Sequence, residues 1–165
     1  SIYETNSFLE KNDTSLIEYA AFFGSVQIFK YLYLNDVELK PSLWIYGIHG
    51  NNEEIIHILE ENHILPKDAT YEACFKAAIK CHHNDMASFI TNNLLERDFL
   101  NNKNFEINQL SCDLKYYNFS FFQDKLDYDF IFYYACKYDH SIIVENILKT
   151  KEIDIYKVII FTNFF

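Results

Sequence analysis

The chain has 165 residues and a formal charge of −10; it is 50% apolar and 18% aromatic, with only 3 glycines and 2 prolines. That apolar content excludes a disordered chain, the shortage of turn formers argues against an all-β sandwich, and the acidity disfavours nucleic acid, whose phosphates require clustered lysine and arginine. No apolar run approaches the ~20 residues of a membrane helix, so the expectation is an intracellular, cytoplasmic protein of helices joined by polar loops, with a basic protein surface as the favoured partner.

In chain order, residues 2–10 suggest a short helix on Ile2, Phe8 and Leu9. Asn12, Asp13, Thr14 and Ser15 then supply short side-chain oxygens that can accept from the free amides of a first helical turn. A helix over about 15–23 ends at Gly24, where a left-handed backbone costs little without a Cβ. Its Ala20-Ala21 pair is small enough to let neighbouring helices approach closely. A second helix over about 26–34 carries Ile28, Phe29, Tyr31 and Leu32 at helical spacing.

Pro41-Ser42-Leu43 opens the next pair, because proline lacks only an amide that would be unpaired there. Its first helix runs to His49-Gly50, with Gly50 read as the turn. Glu53 and Glu54 then place acids where the dipole of the following helix favours them. A third pair over about 66–95 has Ala77-Ala78 at the close-packing position and Met86, Phe89, Ile90, Leu94 and Leu95 as its stripe. It has no turn glycine, and Asn84 is the expected left-handed residue.

The segment 96–126 interrupts the pattern. Polar Asn101-Asn102-Lys103-Asn104 reads as a loop, and Leu110, Leu114, Tyr117 and Phe121 predict one irregular helix over about 106–123. The last pair, about 127–149, turns at Asp139-His140. Ile153-Asp154-Ile155 and the apolar residues after them would begin another.

The run from Ala20-Ala21 through Gly24 to Ile28-Phe29-Lys30-Tyr31-Leu32 resembles the ankyrin-repeat core, and Ala135 to Leu148 is a second copy in the same apolar register. The resemblance spans about two-thirds of the chain, in units of about 15–34, 41–61, 66–95 and 127–149. The family's Thr-Pro-Leu-His signature is absent, and its Gly-His pair is nowhere intact.

What the resemblance implies is an all-α solenoid of stacked antiparallel helix-turn-helix units, with short or missing β-hairpins, forming one array over 1–165. It further implies a non-enzymatic protein-interaction scaffold that binds through its concave face and inter-repeat loops, without cofactor or metal. By carry-over, the partner-binding candidates are Glu18, Trp44 and Tyr133; Trp44 has inter-repeat packing as its other reading. Self-association through exposed terminal helices is a further expectation, and a purely structural segment of a longer array is an alternative.

The other alternative is a metal- or thiol-dependent enzyme around Cys74, Cys81 and His82. Cys74 and Cys81 lie two helical turns apart, about 10 Å along one face, which is too far to share one zinc ion. Buried reduced thiols and exposed turn histidines are the plainer reading of Cys74, Cys81, His82 and His83. Cys136 and His140 are four apart, but the resemblance places His140 in a turn, bonding backbone. No phosphate loop, Gly-x-Ser-x-Gly or His-Glu-x-x-His motif occurs.

Overall fold

The computed structural model describes residues 6–11, 13–67, 69–95, 100, 102–122, 127–151 and 153. Those residues form helices, turns and loops, with no strand among them. The expected capping residue Asn12, and the expected new pair beyond Ile153, lie outside the described residues. The chain divides into two compact units, Ser1–Leu95 and Glu96–Phe165.

The first unit holds α1 (Ser7–Lys11), α2 (Leu16–Phe22), α3 (Val26–Leu34), α4 (Leu43–His49), α5 (Glu53–Glu61), α6 (Glu72–Lys80) and α7 (Asn84–Phe89). A π-helical turn, Ile90–Leu94, prolongs α7. There Thr91 Oγ donates to the carbonyls of Ala87 and Ser88, and the Leu95 amide reaches five residues back to Ile90. The second unit holds α8 (Lys103–Lys115), a 3₁₀ turn (Phe119–Phe121), α9 (Tyr128–Lys137) and α10 (Ser141–Thr150).

One local device recurs at the hairpin turns of both units. Gly24, Asn51, His82, Tyr117 and Asp139 adopt left-handed φ values of 62°, 47°, 58°, 55° and 62°. The amides of Ser25, His83, Asn118 and His140 then reach back to the carbonyls of Ala20, Ala78, Asp113 and Ala135 at 2.8–3.0 Å. This closes the first helix by satisfying a carbonyl that would otherwise be orphaned.

Four residues before each left-handed position stands a buried residue: Ala20, Gly47, Ala78, Asp113 or Ala135. Four of the five are small, and the reason is steric. At Gly47 a Cβ would lie 3.1 Å from Ile56 Cδ1 of α5, the second helix of the same hairpin. The first helices also pack on one another, α2 on α4 and α4 on α6 in the first unit and α8 on α9 in the second. The second helices add Phe29, Ile55, Ile56, Leu59, Met86 and Ile90 to the first core, each worth about 1.5–3 kcal/mol of burial. In the second unit Leu110, Leu114, Phe130, Ile131, Tyr134 and Ile147 form one cluster, against which Ile153 packs.

Three sequence expectations change. Asn51, not Gly50, is the counterpart of Gly24; Gly50 is right-handed, with φ −73°. Its glycine is required by contact, since a Cβ there would sit 2.1 Å from the Ala21 carbonyl oxygen. Asn84 is the first residue of α7, and His82 takes the left-handed conformation instead. The single helix over 106–123 ends at Lys115, because Tyr117 turns left-handed and starts the same device as the other hairpins. The irregular segment therefore contains a hairpin whose second helix has shrunk to the 3₁₀ turn.

Gly50→Ala should destabilise the first unit by about 3 kcal/mol, since both close contacts are backbone and cannot swing away. Asn51→Gly should be neutral or stabilising by up to about 1 kcal/mol, because it relieves a left-handed asparagine. Thermal unfolding of the two variants checks this; the reverse order would restore Gly50 as the turn residue.

Candidate interaction surfaces

The residues singled out for chemistry are mostly used within the fold. Cys74 is fully buried, and His82 is exposed at its left-handed turn. Cys81 Sγ lies 3.3 Å from His49 Nδ1. The His49 ring is packed against Phe8 and Phe22, with centroids 4.8 and 5.1 Å away. Burial pushes the Cys81 thiol up. Burial, helped by the charges of Lys80 and His83, pushes His49 down. Both shifts favour a neutral thiol beside a neutral imidazole, the opposite of an activated thiolate.

Among the described residues no group of three or more His, Cys, Asp or Glu side chains could hold a metal ion. The four cysteines are free thiols, but only Cys74 is fully buried; Cys81 and Cys112 are half-buried and Cys136 is exposed, against the expectation of buried thiols.

His83 and His140 share a structural role. A ring nitrogen of His83 donates to the Ile48 carbonyl at 2.8 Å, and one of His140 donates to the Leu114 carbonyl at 2.6 Å. A carbonyl can only accept, so the proton is on Nδ1 in His83 and on Nε2 in His140. Ile48 and Leu114 occupy the same place, three residues before the left-handed residue of the preceding hairpin. His140 thus braces one hairpin against the one before it and forms no pair with Cys136.

Of the three partner-binding candidates, two are consumed by packing. Trp44 has 0% exposure; its indole N–H donates to the Ile64 carbonyl at 2.6 Å and its ring meets Tyr71 edge to face. A side chain without accessible surface cannot touch a partner. Glu18 is buried at the start of α2, where its carboxylate accepts from the Ser15 amide at 2.8 Å, from the Ser15 hydroxyl and from the Ser42 hydroxyl. Burial alone would raise its pKa, but those hydrogen bonds and the Lys40 charge hold it below the usual carboxylate range. Glu18 keeps 9% exposure; Tyr133 is half-buried, and the Lys137 ammonium lies 5.5 Å from its ring.

The exposed apolar chemistry lies elsewhere. In the first unit α3 buries Phe29 alone, leaving Ile28, Tyr31 and Leu34 at 53%, 67% and 77% exposure. Beside it, α5 exposes Glu53, Glu54 and Glu61, and Lys30 of α3 is paired with Glu54. A slot of about 160 Å³ between α5 and α7 is lined by Glu53, Ile56, His57, Asp85, Met86 and Phe89.

In the second unit an open cleft of about 490 Å³ lies along α10. Ile142, Ile143 and Ile147 form one wall and Phe119, Phe122, Tyr128 and Ile131 the other, while Asn146, Thr150 and Lys151 supply the polar rim. No family model matches the chain, and neither a curated protein nor a solved structure does. The site is therefore read from geometry alone.

Asp113 was not singled out by any motif, yet it is the most perturbed acid described. It occupies the small-residue position of the α8 hairpin, is 1% exposed, and its Oδ1 has no hydrogen-bond partner. Burial pushes its carboxyl up from 3.8 to about 7, against the pull of a Gln109 hydrogen bond. A raised folded value means that the native state holds the proton more tightly than the unfolded one. Its contribution is fully present below about pH 4 and is lost as the pH rises through about 7.

Asp113→Ala, which restores the residue type of the other turns, should remove this dependence and stabilise the second unit by about 1–3 kcal/mol at pH 8. Amide exchange of Leu110 and Leu114 at pH 5 and pH 8 reads it. Equal pH dependence in both proteins would exclude Asp113 as the source.

Proposed function

We propose that the chain is a non-enzymatic protein-interaction scaffold of ankyrin-like helical hairpins, and that a partner's amphipathic helix docks in the apolar cleft of the second unit. The observation that carries this reading is the cleft itself. Its α10 wall presents Ile142, Asn146 and Thr150 as one row and Ile143 and Ile147 as the next, so the groove runs along the helix. Ile142 stands 82% exposed above it, a cost in water that a docked apolar side chain would remove.

Aromatic walls on one side and aliphatic ones on the other suit an apolar ridge with residues at i, i+3, i+4 and i+7. Lys151, whose ammonium lies 4.6 Å from the Tyr128 ring centre, closes one end and would favour an acid at the matching end of the ligand. The neutral, half-buried Cys81 thiol gives no comparable support to thiol chemistry.

Selection from a displayed random-peptide library tests the reading. Binders should converge on that helical spacing, and Ile142→Asp should weaken them at least tenfold, about 1.4 kcal/mol. Because Ile142 is exposed, circular dichroism of this variant should match wild type. Binders that tolerate both Ile142→Asp and Phe119→Ser would remove the cleft from the function.

A further inference from the structure

We propose that the slot between α5 and α7 of the first unit receives one arginine side chain from a basic segment of a partner protein. The inference does not depend on the cleft of the second unit, because it uses different residues and a different ligand chemistry. The floor of the slot is apolar: Ile56 and Met86 are 1% and 4% exposed. Phe89 forms a wall, held by the His57 ring lying edge-on at 5.9 Å. His57 is itself engaged by Glu60 at 3.0 Å, which leaves the slot to another occupant.

At the mouth stand Glu53 and Asp85, both exposed and neither in an ion pair among the described residues. The volume of about 160 Å³ is of the order of one long side chain. An apolar floor below a pair of carboxylates asks for a ligand that is aliphatic along its stem and cationic at its head.

The alternatives fail on charge. An acidic side chain would meet two carboxylates. A wholly apolar one would shield Glu53 and Asp85 from water without compensation, at a cost of roughly 1–3 kcal/mol for each group left unsatisfied. A guanidinium offers five N–H donors in a planar fork, can engage a carboxylate through two of them, and stacks on an aromatic wall such as Phe89. Lysine meets the charge requirement but not the fork, so it should bind more weakly.

The surroundings agree. The neighbouring exposed face of α5 carries Glu61, with Glu54 already paired to Lys30, the chain's net charge is −10, and the exposed Ile28, Tyr31 and Leu34 of α3 offer apolar contact beyond the acids. A partner segment that is basic with apolar neighbours is the complement of this face.

The test is an amide-shift titration of the full chain with Nα-acetyl-arginine amide, set against its neutral isostere Nα-acetyl-citrulline amide. Saturable shifts confined to Glu53, His57, Asp85, Met86 and Phe89 are expected, with citrulline at least tenfold weaker. The double variant Glu53→Gln, Asp85→Asn should lose at least tenfold in affinity. Glu61→Gln, which removes an acid outside the slot, should not change it, and Ile142→Asp should leave it intact. Equal response to citrulline, shifts scattered over the acidic surface, or equal loss in Glu61→Gln would each overturn the proposal. Failure here with peptide binding retained in the cleft would discard the slot alone.

Discussion

The constraint on which both units depend is the packing of helices around one buried position, nearly always a small residue, in each first helix. Ala20, Gly47, Ala78 and Ala135 stand there, each four residues before a left-handed turn. The two features are coupled. The turn carries an amide back to the carbonyl of that residue, as at Ala20, Ala78 and Ala135, and the missing side-chain bulk leaves room for a neighbouring helix, as α5 takes it at Gly47. Where the approach is tightest, even Gly50 is pressed against the Ala21 carbonyl and has no room for a methyl group.

That coupling accounts for the left-handed non-glycine residues at the hairpin turns. An isolated left-handed residue costs about 1–2 kcal/mol, yet Asn51, His82, Tyr117 and Asp139 all adopt the conformation. Each follows a helix whose apolar face is already committed, so packing on both sides outweighs the local preference. His83 and His140 add a fixed strut from each turn to a backbone carbonyl of the preceding hairpin. Asp113 is the exception in the series: a carboxyl where the other hairpins have alanine or glycine, pushed up to about 7 by burial.

The same packing decides which surfaces remain exposed. First helices spend their faces on one another, which buries Trp44 and Glu18 and leaves exposed apolar side chains on α3 of the first unit and along α10 of the second. On α3 the apolar stripe was legible as a stripe, but of Ile28, Phe29 and Tyr31 only Phe29 turns inward. Periodicity identifies a helix and an apolar face; it does not say whether a neighbour covers that face. The slot and the cleft are formed by residues from separate helices, such as Glu53 with Asp85 or Phe119 with Ile142, and no sequence spacing marks them.

By itself the sequence determined an all-helical chain, its apolar stripes at helical spacing, and the small pairs Ala20-Ala21 and Ala77-Ala78. These are short-range properties, set by apolar spacing, capping side chains and residues without bulk. Tertiary structure alone decided that Asn51 and His82 make the turns in place of Gly50 and Asn84, that a further hairpin hides in 103–121, and that Asp113 is buried with its Oδ1 unpartnered. Each of these depends on what lies against the residue from a distant part of the chain. Only there do contact and desolvation outweigh the preferences a residue carries on its own.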